Sequence, residues 1–224
     1  LLSRLSSSLA HEIKNPLQSV LGCLGLAQEM LVDRADINAY LDIAMDELEN
    51  VAGIVTQLRD LGHAPEDLET EPADMNTLVE RTLLLTRKHA QNKGVEVAWD
   101  PEIDLPKLIL IPDRVRQVFL NLVLNAIEAM PDGGVLEVKT AATNQPEGVQ
   151  VVFVDDGVGI EADRLPLIFE PFHGTRPGGM GMGLFISKTI VENHGGEITI
   201  NSQPGQGTAV KVWLPVISCD KESG

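Results

Sequence analysis

The chain has 224 residues, 43% of them hydrophobic but only 4% aromatic, and a formal net charge of −16. That length holds one large domain or two small ones around largely aliphatic cores. The charge excludes the basic patches needed by a nucleic-acid phosphate backbone or an anionic membrane surface, but not a nucleotide met by Mg²⁺ and backbone N–H groups.

Cys23 and Cys219 lie near opposite ends and outside any metal-ligand spacing, so no disulfide framework is expected. Their number suits a reducing cytoplasm. No apolar run approaches a membrane span and no signal peptide is visible. The expected setting is therefore cytoplasmic, without direct membrane contact. The chain begins in helix-forming sequence without a cap or an initiator methionine, and is read as a piece of a longer protein.

Residues 1–31 are helical by period, with Ile13, Leu17, Val20, Leu24, Ala27 and Leu31 in steps of four and three. A polar turn over 33–36 leads to a second such helix over 37–61, with Ile37, Leu41, Ala44, Leu48, Val51, Val55 and Leu58 on its stripe. Sustained spacing of this kind marks a coiled-coil-like seam, and two such helices form an antiparallel hairpin. A lone hairpin leaves apolar surface wet, so pairing with a second copy into a four-helix bundle is expected. Within the first helix, residues 9–17 read L-A-H-E-I-K-N-P-L. Leu9 and Ile13 share a face, and His11 is turned about 200° from it, off the apolar stripe and next to Glu12. An exposed histidine beside a carboxylate is a candidate nucleophile. Pro16 removes a helical hydrogen bond and should bend the helix there.

Residues 63–71 carry proline and acids and read as a linker. Beyond it the pattern predicts a helix over 75–92, strands at 95–99 and 108–111, and a helix over 113–130 with Asp113 as its N-cap. Strands follow at 136–142 and 149–154, the second continuous enough in apolar residues to be buried. Residues 161–182 have no clean period, 183–193 is helical, and 198–201 with 208–214 read as a hairpin around Pro204-Gly205-Gln206-Gly207. The alternation predicts an α/β sandwich over 72–217, with 218–224 as a tail.

Four elements in this second part carry chemistry. Asn121 and Asn125 share a helix face at i and i+4, and an amide oxygen suits a Mg²⁺ that keeps waters and phosphate oxygens. Asp155 emerges from the end of a strand, where its carboxylate is placed to accept from an adenine amino group. Gly157, Gly159 and Ile160 follow, the glycines letting backbone approach a flat ring. Phe169 and Phe172 are placed to anchor one hinge of a movable lid. Gly179, Gly181 and Gly183 alternate before Leu184 at a helix start, where N–H groups meet phosphate. Each element alone is an ordinary helix face, turn or loop, and their order and co-occurrence with the exposed His11-Glu12 pair carry the reading.

With these residues in place, the sequence closely resembles the sensor histidine kinases of two-component signalling. The stretches I-E-P-F-H-G-T-R-P and G-M-G-M-G-L are close to family signatures, and N-A-I-E-A-M resembles the nitrogen-regulation-type branch. The resemblance implies a dimerisation and histidine-phosphotransfer domain over 1–62 and a GHKL (Bergerat-type) ATP-binding domain over 72–217. It implies ATP and Mg²⁺ as cofactors, with Asn125 as the metal ligand and Asn121 as a supporting phosphate contact. Asp155 would read adenine, Gly179, Gly181 and Gly183 would face the phosphates, and Arg176 would be a basic lid residue near the transferred phosphoryl group. His11 would be the phospho-acceptor, Glu12 its proton acceptor, and Asn15 the residue that positions water to dephosphorylate the partner. That partner would be the receiver domain of a response regulator, recognised over residues 17–45, with homodimerisation through 1–62. Many relatives carry a basic residue and an aromatic where this chain has Glu128 and Ala129, which leaves more weight on Arg176. Two alternatives are a GHKL ATP hydrolase, which would need a glutamate where Asn121 stands, and a catalytically weak kinase-like dimeric scaffold. Steady phosphate release without a protein-bound intermediate would mark the first, and ATP binding without labelling of His11 the second.

Overall fold

The computed structural model describes residue 20, residues 69–171, residue 173 and residues 181–216. The expected helical hairpin, with His11, Glu12 and Asn15, lies outside the described residues, as do Phe172, Arg176 and Gly179. The described residues 69–171, 173 and 181–216 fall in one compact unit.

This unit opens with a short strand, β1 (Glu71–Ala73), which pairs antiparallel with β3 (Leu108–Leu110) in a two-stranded sheet. β1 begins at Glu71, the last residue of the stretch read as linker. Its Pro72 is tolerated on an edge strand, where the missing donor costs no ladder bond. Helix α1 (Met75–Asn92) starts where Asp74, in extended conformation, accepts a hydrogen bond from the Thr77 N–H at 2.9 Å. It buries Met75, Leu78, Val79, Thr82, Thr86 and Ala90. The two threonine hydroxyls enter the core without an unmet bond, since each donates to the carbonyl four residues back.

Helix α2 (Pro112–Glu128) corrects one expectation. Its N-cap is Ile111, with no side-chain cap bond, and Pro112 stands in the first turn. Asp113 therefore lies inside the helix instead of capping it. The fixed φ of proline pre-forms the first helical residue and needs no donor there, so the N-cap falls two residues before the polar side chain that suggested it. Asp113 instead pairs with Arg116 at 2.9 Å across one turn.

The main sheet has the order β2 (Val95–Asp100), β4 (Gly134–Asn144), β5 (Glu147–Asp155), β7 (Gly207–Pro215), β6 (Glu197–Gln203). β2 and β4 run parallel, joined by a crossover through β3 and α2, and every other neighbouring pair is antiparallel. α1 packs against β2, α2 against β5, and α3 (Gly183–Asn193) against β6 and β7. One sheet face thus holds the core: Leu136, Val138, Val149, Val151, Phe153, Ile198, Val212 and Leu214 alternate inward. The opposite face carries Glu137, Lys139 and Lys211 and exposes Val135 and Val154, each at 37%. The expectation that 149–154 is buried holds for Val149, Val151 and Phe153, while Val154 is exposed. Its valines alternate, because the described helices cover a single face.

The largest side chains of that core are Phe119 on α2 and Phe153 on β5, whose rings meet at 5.7 Å between centroids and a 47° tilt. Burying such a pair supplies transfer free energy plus a specific ring contact. Phe119→Ala is expected to destabilise the unit by about 3–5 kcal/mol in urea denaturation followed by circular dichroism. A loss below about 1 kcal/mol would show that the helix layer does not depend on this contact.

Candidate functional site

The end of β5 and the tip of the β6–β7 hairpin meet around Asp155. The register sets Asp155 opposite Thr208 on β7 and Leu136 on β4. Its side chain points to the core face and the residue is only 6% exposed. Oδ1 accepts hydrogen bonds from the Gly157 N–H at 3.0 Å and the Thr208 N–H at 3.2 Å. Burial pushes the carboxyl above its ordinary range, the two N–H donors pull it back down, and the Asp156 charge adds a further upward push. Asp156 itself is exposed and ties down the start of β4 by accepting from the Val135 N–H at 2.9 Å.

The loop after Asp155 is pressed between two backbones. On one side the Val158 N–H donates to the Ala129 carbonyl at the C-terminus of α2, at 2.9 Å, and a Cβ on Gly157 would strike that same oxygen. On the other side Gly159, at φ +72°, lies against the Gln203 carbonyl, leaving no room for a side chain. A Cβ on Gly207 would likewise run into the Asp155 carbonyl. The glycines around Asp155 are thus required by close approach of backbones.

Beneath this loop lies a polar knot that the sequence reading missed. Ser202 Oγ donates to the Gly207 carbonyl at 2.9 Å and accepts from the Ile160 N–H at 2.8 Å. It has a single proton, so the 2.9 Å contact with Thr208 Oγ1 is donated by the threonine. Ser202 and Thr208 are both buried and are paired across β6 and β7. A signal for them does exist in the sequence. Ile198, Ile200 and Ser202 fall on one face of β6, and Thr208, Val210, Val212 and Leu214 on one face of β7, so each inward series ends in a hydroxyl at the same turn.

A second cluster joins α2 to the start of α3. Asn121 Nδ2 donates to Ser187 Oγ at 2.9 Å, and the Asn121 amide sits where a Cβ on Gly183 would have to go. α3 begins after Met182, with no side-chain cap and no acidic residue in its first turn. Asn121, Asn125 and Ala129 follow one another at four-residue spacing along α2. That stripe covers about 12 Å from the Gly183 end to the Gly157–Val158 end. Asn125 is half-buried midway, one turn from each. Of the expected site residues, the structure therefore brings Asp155, Gly157, Gly159 and Ile160 into one loop and Asn121 and Gly183 into one contact. Leu184 is half-buried in the first turn of α3, and Gly181 lies two residues before that helix.

Residues 111–218 match the family described as histidine kinase-, DNA gyrase B-, and HSP90-like ATPase, and residues 1–67 match the His Kinase A (phospho-acceptor) domain. Sensor histidine kinase ZraS of Escherichia coli (strain K12) is 35% identical over 215 residues, which is 96% of this chain and 46% of that protein. Sporulation kinase E of Bacillus subtilis (strain 168) is 33% identical over 215 residues, 96% of this chain and 29% of that protein. The chain thus spans less than half the length of either relative. Among solved structures, full-length ShkA in complex with AMPPNP is similar at a TM-score of 0.68 and 26% identity, over 93% of this chain and 45% of that one. Histidine kinase ThkA in complex with response regulator protein TrrA shares the fold at a TM-score of 0.72 and 24% identity, over 98% of this chain and 63% of that one. The chain belongs to the sensor histidine kinases.

The raised carboxyl of Asp155 has a thermodynamic consequence. A group whose folded pKa lies above its unfolded value of 3.8 contributes stability below that value and loses it as pH rises through the folded pKa. At neutral pH the buried charge is therefore a cost. Asp155→Asn keeps an acceptor for the two N–H groups and removes the charge. The variant is expected to unfold at a urea concentration at or above the parent's at pH 7, with the difference shrinking toward pH 4. A variant weaker than the parent at pH 7, by a margin that does not shrink in acid, would show that the ionised form is favoured by its two donors.

Proposed function

We propose that this chain is the core of an ATP-dependent protein-histidine kinase. It phosphorylates its own His11, passes the phosphoryl group to an aspartate in the receiver domain of a response regulator, and also dephosphorylates that partner. The observation that carries the ATP part is the buried Asp155 carboxylate at the end of β5, with one oxygen fixed by two N–H donors and glycines clearing the backbone around it. The phospho-acceptor part is supported by the match over residues 1–67, which include His11. The AMPPNP complex of a relative of the same fold adds to the nucleotide reading.

In this reading the ligand extends along α2. Asp155 accepts a hydrogen bond from the adenine amino group, and the loop bearing Gly157 and Gly159 presents backbone to the ring. At the other end the uncapped first turn of α3 offers the N–H groups of Gly183 and Leu184 to phosphate oxygens. Gly181 extends that cradle, Gly179 would face the phosphates as the resemblance implies, and Ile160 would line the base pocket. Asn121, whose amide nitrogen is engaged by Ser187, serves the phosphate side by fixing where α3 begins. Among the described residues no group of three or more His, Cys, Asp or Glu could hold a metal ion. The neutral oxygen of Asn125 suits an ion that takes its other ligands from phosphate and water, so Asn125 would hold Mg²⁺, which neutralises phosphate charge when bound.

His11 attacks the γ-phosphorus through a ring nitrogen, forming a P–N bond as the bond to the ADP oxygen breaks. Glu12 takes the proton from the other ring nitrogen. Arg176 stabilises charge on the transferred group. In the second step a carboxylate oxygen of the response regulator attacks the same phosphorus and the P–N bond breaks. Asn15 orients water for the later dephosphorylation, an amide being able to do so without acting as a base. Two chains pair through residues 1–62. An ATP hydrolase is disfavoured because Asn121 stands where that class places its glutamate, and its amide is committed to Ser187.

Incubation with Mg-ATP is expected to yield an acid-labile, base-stable phosphoryl adduct, absent from His11→Ala. Label that persists in that variant would mean that the nucleophile is misassigned. Asp155→Asn is expected to weaken ATP binding about 10–100-fold by calorimetry, the scale of one charge-assisted hydrogen bond; unchanged affinity would remove Asp155 from the base pocket. Asn15→Ala should slow dephosphorylation of the regulator more than autophosphorylation, and equal loss of both would contradict the division of roles.

A further inference from the structure

α3 is tied to α2 at its far end as well, through a residue to which no function has been attached. The sequence Asn193-His194-Gly195-Gly196 closes the helix. Gly195, at φ +71°, donates to the Glu192 carbonyl at 2.9 Å, and the Gly196 N–H donates to the Val191 carbonyl at 2.9 Å. This paired closure places His194 at the C-cap and sets the origin of its ring. Nδ1 lies 2.7 Å from the Ile190 carbonyl. A carbonyl only accepts, so Nδ1 carries the proton. The lone pair on Nε2 then accepts the Ile111 N–H at 3.1 Å. Both bonds exist together only in a neutral ring of this one tautomer.

Ile111 is the residue from which α2 starts, and the sequence offers it no side-chain cap. The helices run antiparallel, so the His194–Ile111 bond lies at one end of their contact and the Asn121–Ser187 bond at the other. The ten residues of α2 between these ties correspond to about 15 Å. The apolar contacts of Ile186, Ile190 and Val191 hold the helices together but do not fix their axial placement, since burial is non-directional. The Asn121–Ser187 bond fixes α3 near its start. Two bonds fix its direction.

We propose that His194 is a positioning residue for nucleotide binding. Its neutral imidazole locks α3 against α2, so that the N–H groups of the first turn of α3 keep their place relative to Asn121 and Asn125. This rests on the nucleotide reading above. His194 touches neither nucleotide nor reacting atoms and acts only through the placement of α3, so its loss falls on binding and not on the transfer step.

The test uses the full chain, with AMPPNP binding measured by calorimetry and labelling rates measured across ATP concentrations. His194→Ala is expected to weaken AMPPNP binding about 5–30-fold, the scale of an N–H left unpaired. It should raise the KM for ATP by a similar factor and leave the labelling rate at saturating ATP within about threefold of the parent. His194→Gln, which presents an amide oxygen to the Ile111 N–H, is expected to recover most of the affinity. An alanine variant that binds as tightly as the parent would overturn the proposal, as would a folded glutamine variant as weak as the alanine one. Nitrogen-15 NMR of the parent tests the same point without a mutation. A protonated Nδ1 and an unprotonated Nε2 on His194 at neutral pH are expected, and the opposite tautomer would overturn it. If the parent itself failed to bind AMPPNP, the nucleotide reading would fall first, and the tautomer measurement would still judge the latch.

Discussion

The site depends on placing one carboxylate where water is scarce. Asp155 is buried at the end of a core strand, and an isolated ionised group there would simply take up a proton. Two backbone donors oppose this, one from its own loop and one from the facing strand. Those donors reach it only because three backbone segments approach more closely than side chains permit. Gly157 clears the end of α2, Gly159 clears β6, and Gly207 clears the Asp155 carbonyl. The D-D-G-V-G stretch and the G-Q-G-T stretch, about fifty residues apart, are thus two halves of one device. The Ser202 hydroxyl fastens the halves by engaging both Ile160 and Gly207.

α2 turns that local device into an extended site. Its inner face is locked into the core by Phe119, Leu122, Val123 and Ile127, which prevents it from rolling. A neighbouring stripe carries Asn121, Asn125 and the Ala129 carbonyl, and each end of the stripe meets a different element. Near the N-terminal side it braces the start of α3 through Ser187 and Gly183; at the C-terminal side it receives the loop of Asp155 through Val158. One rigid helix therefore sets the distance between the carboxylate and the uncapped helix start. Neither element has to find the other through flexible loops.

Much of this was legible in the residues before any coordinates. α1 and α3 follow from periodicity over their full lengths, and each main-sheet strand falls where alternation places it. The site glycines stand out because glycine is so specific a demand on backbone. What escaped the sequence is what depends on partners. β1 has only three residues and a proline, and becomes a strand only through pairing with β3. Asp113 offered a capping side chain, but Pro112 was the stronger determinant of where α2 begins. The apolar run of β5 reads as buried, but such a run does not tell how many layers cover it, and Val154 is exposed. Ser202 and Thr208 were overlooked because a lone serine or threonine in a strand is unremarkable until its cross-strand neighbour is known. The residues 9–17 motif and the lid positions 176 and 179 remain arguments from sequence, as they lie outside the described residues.

The distribution of charge along α2 explains how so acidic a chain accommodates a polyanion. Asp155 and Asp156 stand together at one end, and a phosphate placed there would be repelled. The other end has no acidic residue in the first turn of α3 and no side chain occupying its N–H groups. A ligand with an uncharged amino-bearing base at one extremity and phosphates at the other fits this polarity in a single direction. About 12 Å of helix separates the two ends, and Coulomb repulsion between the carboxylates and the phosphate side falls with that distance. The site therefore needs no large positive patch, because partial charges on oriented N–H groups meet the anion and the negative charge is spent at the far end on hydrogen-bond selectivity.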